Sequence, residues 1–230
     1  MWIVWSLLAG FLISLAYISP YALRMFQERR LRARCRRERA LVLTYDDGPG
    51  IVLTLKLLDL LAAYNAKATF FLVGKCVINA PESVARLQRD GHELASHSYA
   101  HLNAWKTTPW QGVNDVQRGF TTLGQNGIPF KLFRPPYGKI TLLTWLATVC
   151  RGIGFGWWTK VSGDTYANLP DPQSVVQAVE QDGGGVVLLH DFDGTEERST
   201  FVLELTKRLL DAAKSRGWKV CTQSELLRIQ

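Results

Sequence analysis

From residue 40 onward, short apolar runs rich in β-branched and aromatic residues alternate with longer amphipathic stretches. Short runs of this kind are typical of buried strands, and the longer stretches are typical of helices. We predict seven strands, at Ala40–Tyr45, Ala68–Val73, His92–Ser96, Leu132–Arg134, Gly154–Thr159, Val186–His190 and Trp218–Cys221. Helices are expected at about 51–64, 80–90, 110–125, 139–150, 172–182 and 199–216. This alternation predicts an α/β fold built from βα units around a mainly parallel sheet.

The segment 1–23 has a different character, because it carries no charge and has Trp2, Trp5, Tyr17 and Tyr21 towards its two ends. A helix of this length spans roughly 30 Å, the thickness of the hydrocarbon core of a bilayer, and aromatic side chains favour the two interfaces. The arginines follow the apolar run and no small-residue cleavage site is visible, which argues against a cleaved signal peptide. We therefore expect one N-terminal transmembrane helix and a membrane location.

Residues 24–39 hold eight arginines and two glutamates, so they carry +6 of the net charge of +7. By the positive-inside rule, this flank predicts a body on the cytoplasmic side, with an extracytoplasmic body as the alternative. The flank is expected either to contact anionic membrane lipid or to serve only as a linker. The nearly neutral remainder indicates no nucleic-acid partner. We thus predict an anchor at 1–23, an arginine-rich juxtamembrane linker at 24–39 and one globular domain at 40–230.

Several predicted strands end in titratable residues. Asp46 and Asp47 follow the first strand, His97 follows the third, Arg134 ends the fourth and His190 ends the sixth. In parallel α/β folds the carboxyl ends of the strands gather at one edge, so residues that are distant in sequence meet there. We expect these five side chains to lie in one site.

His97 and His101 are two of only four histidines and are spaced four residues apart, which places both imidazoles on one side of a helical backbone. With Asp47 they form a set of two histidines and one carboxylate, which leaves a position for water and is typical of a hydrolytic metal site. Each motif alone also fits an ordinary turn or a chance pair. The four scattered cysteines indicate neither a thiolate metal site nor a disulfide framework.

Two other strings are candidates for chemistry. The prolines of Arg134-Pro135-Pro136-Tyr137-Gly138 predict a rigid loop whose amide at Tyr137 can point into the site, although a plain connection explains them as well. His190 closes an apolar strand, either as a functional imidazole or as a cap of that strand.

In this order, the strings resemble the motifs of the polysaccharide deacetylases of carbohydrate esterase family 4, the NodB homology domain. The five motifs are TYDDGP at 44–49, HSYAH at 97–101, RPPYG at 134–138, WTKVSGD at 158–164 and LLHD at 188–191. The resemblance covers essentially residues 40–225. It implies a NodB-like catalytic domain with a distorted (β/α)7-type barrel, here preceded by the predicted transmembrane helix.

The resemblance also implies a role for each residue of the metal site. Asp47, His97 and His101 are expected to bind one divalent metal ion, and Asp46 is expected to act as the general base on the attacking water. His190 is expected to protonate the departing amine. Zn²⁺ is the expected ion, with Co²⁺, Mn²⁺ and Ni²⁺ as alternatives, because such a ligand set accepts each of them.

Supporting residues follow from the same resemblance. Arg134 is expected to orient the base, Asp164 the acid histidine, and the backbone N–H of Tyr137 to stabilise the oxyanion. Leu188 resembles a wall of the acetyl-methyl pocket, and Trp158 and Tyr137 offer apolar faces to a sugar ring. The fourth motif departs from the family pattern, since Thr165 follows its aspartate where a tryptophan is common. The shape of the cleft, and with it the sugar specificity, therefore stays open.

The implied activity is removal of N-acetyl groups from an amino-sugar glycan or a polyprenyl-linked sugar, with membrane lipid as a further partner. One alternative is a related metal-dependent hydrolase that acts on formyl groups or cyclic amides. Another is a non-catalytic carbohydrate-binding membrane protein, against which the presence of both Asp46 and His190 argues.

Overall fold

The structure is a computed structural model that describes Trp2, Trp5, Gly10, Phe11 and residues 13–229. Within this part of the chain the strands are β1 (Ala40–Asp46), β2 (Thr69–Leu72), β3 (Glu93–Ser96), β4 (Leu132–Phe133), β5 (Gly154–Phe155), β6 (Lys160–Val161), β7 (Gly185–His190) and β8 (Lys219–Val220). They form one parallel sheet in the order β5-β4-β3-β2-β1-β7-β6, with β8 paired to the start of β1. The two ends of this path are not paired with each other in the described residues, so the sheet is an open half-barrel.

Helices connect most of the strands. They are α1 (Ser19–Glu38), α2 (Leu53–Ala63), α3 (Gly74–Asn79), α4 (Pro81–Arg89), α5 (Pro109–Gln125), α6 (Leu142–Val149), α7 (Pro172–Asp182), α8 (Glu196–Arg216) and α9 (Gln223–Leu227). A π-helical turn, Ser14–Ile18, leads into α1, and a 3₁₀ turn, Pro136–Gly138, follows β4.

Strand β1 shows why the polar residues face inward. Its side chains are buried along the whole strand, with alternate residues on opposite faces of the sheet. Leu43 and Tyr45 pack with the helices on the outside, whereas Val42 packs with residues inside the half-barrel. By the same alternation Asp46 falls on the inner face, at the carboxyl end of the central strand.

The predicted α/β fold of parallel strands is confirmed, but the described residues form eight strands where seven were predicted. The predicted strand Gly154–Thr159 leaves the sheet after β5, and a further short strand, β6, begins at Lys160 on the opposite edge. At the break, the N–H of Gly156 donates to Phe133 O, and a Cβ on Gly156 would overlap the Phe71 ring. One continuous sequence run therefore crosses the open side of the half-barrel, and its hydrophobic pattern does not reveal the break.

The predicted membrane location is contradicted. Residues 1, 3, 4, 6–9 and 12 of the predicted span lie outside the described residues. Among the residues that the structure describes, no helix combines the length and the apolar character needed to cross a bilayer. Helix α1 instead carries the arginine-rich sequence from Arg24 onward. The predicted transmembrane helix therefore has no support in the described residues, and the predicted membrane location with a cytoplasmic body is wrong.

Helix α1 packs on the open side of the half-barrel. Its Leu31 and Cys35 are buried in a cluster with Val42 and Trp157. Trp157 Nε1 donates to Gln27 Oε1 over 2.6 Å, so the helix contacts the segment between β5 and β6. The arginine-rich segment thus has one face against the body and the other in solvent.

Candidate metal centre and active site

Asp47, His97 and His101 converge at the carboxyl ends of β1 and β3. One ligand atom from each lies within 4.8 Å of the other two. His97 follows β3 directly, while the loop beyond it brings His101 back by positive φ angles at Ser98 (68°) and His101 (57°). The two histidines are therefore brought together by a loop, and not by the helical turn that their spacing suggested.

This set of donor atoms fits a divalent cation. Asp47 Oδ1 is 3.4 Å from His97 Nε2 and 3.0 Å from His101 Nε2, yet it is buried and has no hydrogen bond of acceptable geometry. His97 Nδ1 lies 2.7 Å from Arg134 O, and donation from Nδ1 leaves Nε2 with a lone pair towards the site. Burial would raise the pKa of Asp47, but the two imidazoles lower it well below its usual range. The carboxylate therefore stays ionised, which is the form that binds cations.

Asp46 lies beside this cluster and is held by a buried arginine. Arg134 Nη1 donates to Asp46 Oδ1 over 2.6 Å and to Thr44 Oγ1 over 2.9 Å. Its Nε donates to Gly156 O over 2.7 Å and its Nη2 to Gln223 Oε1 over 3.2 Å. Arg134 is 0% exposed, so each end of its guanidinium is bound within the half-barrel. The other carboxylate oxygen of Asp46, Oδ2, is left 3.7 Å from His97 Nε2.

His190 lies on another side of the cluster, with Nε2 4.0 Å from Asp47 Oδ2. Its Nδ1 is 2.9 Å from Asp164 Oδ1, and its backbone N–H donates to Asp164 Oδ2 over 2.8 Å. Ser162 Oγ also donates to Asp164 Oδ1. Burial opposes protonation of His190, but the hydrogen bond and charge of Asp164 outweigh it and raise the pKa of His190. The arrangement favours an imidazolium that can donate a proton.

Tyr137 borders the cluster on the solvent side. Its ring centroid lies 4.6 Å from that of His101, its backbone has φ of 57°, and the residue is 58% exposed. Leu188 is buried in β7, and Trp158 lies with its ring 5.4 Å from the Arg134 guanidinium carbon. The structure therefore brings the predicted metal ligands, both proton-transfer candidates and their partners together at one edge of the sheet.

Two supporting residues were missed by sequence reasoning. Asp115 of α5 accepts from Ala100 N over 2.8 Å and from Leu102 N over 3.3 Å, so it fixes the loop that carries both histidines. Arg198 of α8 donates to His190 O and Phe192 O and approaches Asp164 Oδ2 to 3.6 Å. Both are charged residues on the buried side of a helix. Such a residue can be recognised in the sequence only when it is known which side of the helix packs against the body.

Comparison with known proteins identifies the family to which this chain belongs. The sequence profile described as polysaccharide deacetylase matches residues 33–153. A peptidoglycan-N-acetylglucosamine deacetylase of Bacillus cereus is 34% identical over 193 residues, which cover 83% of this chain and 89% of the relative. The chain belongs to the polysaccharide deacetylase family. Both the family and the class of enzyme predicted from the motifs, a hydrolase of amide C–N bonds, are confirmed.

A solved structure and a longer relative extend the comparison. The crystal structure of a peptidoglycan N-acetylglucosamine deacetylase superposes with a TM-score of 0.75 at 25% identity, covering 85% of this chain and 91% of that one. The peptidoglycan deacetylase PgdA of Listeria monocytogenes is 33% identical to this chain. The match covers 81% of this chain but only 38% of PgdA, which is a longer protein. The half-barrel is therefore the part that these proteins share.

Proposed function

We propose that this chain removes N-acetyl groups from the amino sugars of a glycan, using a divalent ion held by Asp47, His97 and His101. One observation carries the proposal: a carboxylate paired with a buried arginine and a histidine paired with a buried aspartate flank the same cluster of three metal-binding groups. A binding protein has no need for a base and an acid beside such a cluster. Hydrolysis of an amide needs both, because water must lose a proton and the amine must gain one.

Asp47 Oδ1 lies between two imidazoles without a hydrogen bond, which supports the presence of an ion. A ligand set of two histidine nitrogens and one carboxylate oxygen favours Zn²⁺, with Co²⁺, Mn²⁺ and Ni²⁺ as alternatives. When bound, such an ion lowers the pKa of water and polarises the acetyl carbonyl. The surrounding protein supports the role of His97 as a metal ligand, because the contact of its Nδ1 with Arg134 O fixes the orientation of the ring.

The first proton transfer is proposed for Asp46. Its carboxylate would take a proton from water as the oxygen attacks the acetyl carbon and the carbonyl bond opens to an oxyanion. Arg134 holds one oxygen of this carboxylate, so the other is presented to the site in a fixed orientation. The backbone N–H of Tyr137 is the proposed donor to the oxyanion, and it lies in a turn that is directly against His101.

The second proton transfer is proposed for His190. Its Nε2 would donate to the amide nitrogen as the C–N bond breaks, which releases the amine and acetate. Asp164 supports this role, because it orients Nδ1 and favours the protonated ring. Leu188 would line the acetyl pocket, and Trp158 and Tyr137 would contact the sugar.

The names of the relatives bear on the substrate. Both curated relatives described above are peptidoglycan N-acetylglucosamine deacetylases, so we propose N-acetylglucosamine in a peptidoglycan-type polymer as the first substrate to test. Lipid-linked N-acetylated sugars form the second group. Substrates with formyl groups and cyclic amides test the alternative hydrolase activities.

The decisive experiment measures acetate release from these substrates by Zn²⁺-loaded wild-type protein, by Asp46→Asn and by Asp59→Asn. Asp59 is an exposed carboxylate paired with Arg86, so its variant serves as a matched control. We expect Asp46→Asn to lower kcat by about 10²- to 10⁴-fold and Asp59→Asn to leave it unchanged. Equal rates for all three proteins, or release of formate but not acetate, would overturn the proposal.

A further inference from the structure

Arg24 of α1 reaches across to the loop that carries Tyr137. Its Nη1 donates to Gly138 O over 2.5 Å, and its Nε pairs with Glu28 Oε1 over 2.7 Å. Its guanidinium carbon lies 4.6 Å from the ring centroid of Trp158 and 5.0 Å from that of Trp157. The side chain is only 12% exposed, so a cation from α1 is held against two indoles and next to the Tyr137 loop.

Arg24 and Trp158 pack closely against Gly138. Its φ is 62°, in the region that favours glycine, and a Cβ there would overlap the Arg24 guanidinium and come within 2.8 Å of Trp158. The neighbouring Tyr137 also has a positive φ, 57°, although it carries a side chain. The left-handed conformation is costly for Tyr137, though not for glycine, and the surrounding contacts must therefore hold Tyr137 in place.

The contacts that hold the turn come from two directions. Within the loop, Gly138 N donates to Pro135 O over 2.9 Å and Lys139 N donates to Pro136 O over 3.0 Å. From outside the loop, Arg24 is the residue that binds the Gly138 carbonyl. That carbonyl is one residue away from the amide of Tyr137, so the position of Arg24 bears directly on where this N–H lies.

We propose that Arg24 is a positioning residue that fixes the Tyr137–Gly138 turn, and that α1 is therefore part of the catalytic apparatus. This inference rests on the proposed function, in which the Tyr137 N–H stabilises the oxyanion. Hydrolysis is sensitive to such placement, because a displacement of about 1 Å can lower the rate by up to about 100-fold.

The same helix offers a matched control in Arg34. Its Nε pairs with Glu38 Oε1 over 3.1 Å and its Nη1 donates to Leu227 O over 3.2 Å. Each of the two arginines pairs with the glutamate four residues later and donates to a backbone carbonyl of the body. Arg34 makes these contacts near the C-terminal end of the helix, whereas Arg24 makes them near its N-terminal end. Loss of either arginine removes one glutamate pair and one hydrogen bond to a backbone carbonyl of the body, and loss of Arg24 also removes its contacts with Trp157, Trp158 and the Tyr137 loop.

The test compares wild-type protein with Arg24→Met, Arg24→Lys and Arg34→Met, all loaded with Zn²⁺. We expect Arg24→Met to lower kcat on the N-acetylated substrate by about tenfold with KM changed less than twofold, since a transition-state contact is lost. Arg24→Lys should recover part of the rate, because an ammonium can still donate to Gly138 O. Arg34→Met should keep wild-type kinetics even where its melting temperature falls as far as that of Arg24→Met.

Hydrogen–deuterium exchange of the peptide spanning residues 134–142 gives a readout that does not depend on activity. We expect faster exchange in Arg24→Met and unchanged exchange in Arg34→Met. Unchanged exchange and kinetics in Arg24→Met, or equal effects in both methionine variants, would overturn the inference. If the wild-type protein releases no acetate while Arg24→Met still shows faster exchange in this peptide alone, the proposed function fails and the positioning of the turn stands.

Discussion

The substitution Asp115→Asn tests whether the loop that carries the histidines is held in place by α5. Asp115 is 4% exposed, and its two carboxylate oxygens accept from Ala100 N over 2.8 Å and from Leu102 N over 3.3 Å. An asparagine can keep the shorter bond through its carbonyl oxygen, without the charge. It then places an NH₂ group against the N–H of Leu102, where two donors meet without an acceptor.

The expected cost follows from these contacts. A hydrogen bond to a charged group contributes roughly 1.5–3 kcal/mol, and the substitution removes about one such bond. Because the loop must be ordered for His97 and His101 to meet Asp47, the cost falls on metal binding. A tenfold change in affinity corresponds to about 1.4 kcal/mol, so we expect Zn²⁺ to bind about 10- to 100-fold more weakly.

The assay is a competition between the metal-free protein and a chromophoric Zn²⁺ chelator at pH 7, with urea unfolding of the same metal-free samples. Asp171→Asn is the control, because Asp171 likewise accepts a backbone N–H, that of Gln173, but at the start of α7. Wild-type Zn²⁺ affinity in Asp115→Asn would refute the reasoning. So would an equal loss of affinity in Asp171→Asn, since the effect would then not belong to the loop.

Two further predictions concern buried charge. Arg134→Met should lower the free energy of unfolding by roughly 3–5 kcal/mol, because it leaves Asp46 buried without its partner. Arg86→Met, the surface control, should lower it by less than about 1 kcal/mol. Urea denaturation measures both changes. Burial lowers the pKa of His92 to about 4 from 6.5, and its Nδ1 accepts from Ala68 N, so folding favours the neutral ring. Between these pKa values the unfolded chain binds the extra proton, and stability falls as pH is lowered. From pH 7 to pH 5, wild-type protein should therefore lose about 2 kcal/mol more than His92→Gln in urea unfolding, and equal losses would contradict the pKa assignment.

Most of the sheet and much of the site were predictable from local patterns. The central strand is a continuous, mostly apolar run, and the helices around it are amphipathic. The residues that close β1, β3 and β7 meet because parallel strands end at one edge. The pairing of Asp46 with Arg134 followed only from the family resemblance. The spacing of His97 and His101 suggested a helix, and the structure instead uses positive φ angles in a loop. Sequence spacing alone cannot separate these two ways of bringing side chains together.

Other features depend on contacts that no local pattern encodes. The break between β5 and β6 arises where the chain crosses the open side of the half-barrel, and the role of Asp115 depends on which face of α5 is buried. The apolar character of 1–23 predicted a membrane span, because hydropathy rules score a segment by itself. They take no account of α1, which begins at Ser19, contains the arginines and packs on the body.

The arginine-rich segment shows how one sequence feature supports two structural interpretations. Charge alone made it a flank to a membrane anchor, yet it also contains two glutamates, each four residues after an arginine, at Arg24–Glu28 and Arg34–Glu38. Such pairs lie side by side on a helix, as both do in α1. In the structure the Nε of each arginine binds its glutamate, and the Nη1 donates to a backbone carbonyl of the body. The carbonyl that Arg24 binds is that of Gly138, in the loop that carries Tyr137. The pattern of paired charges, and not their sum, explains how this helix contacts the loop of Tyr137 and Gly138.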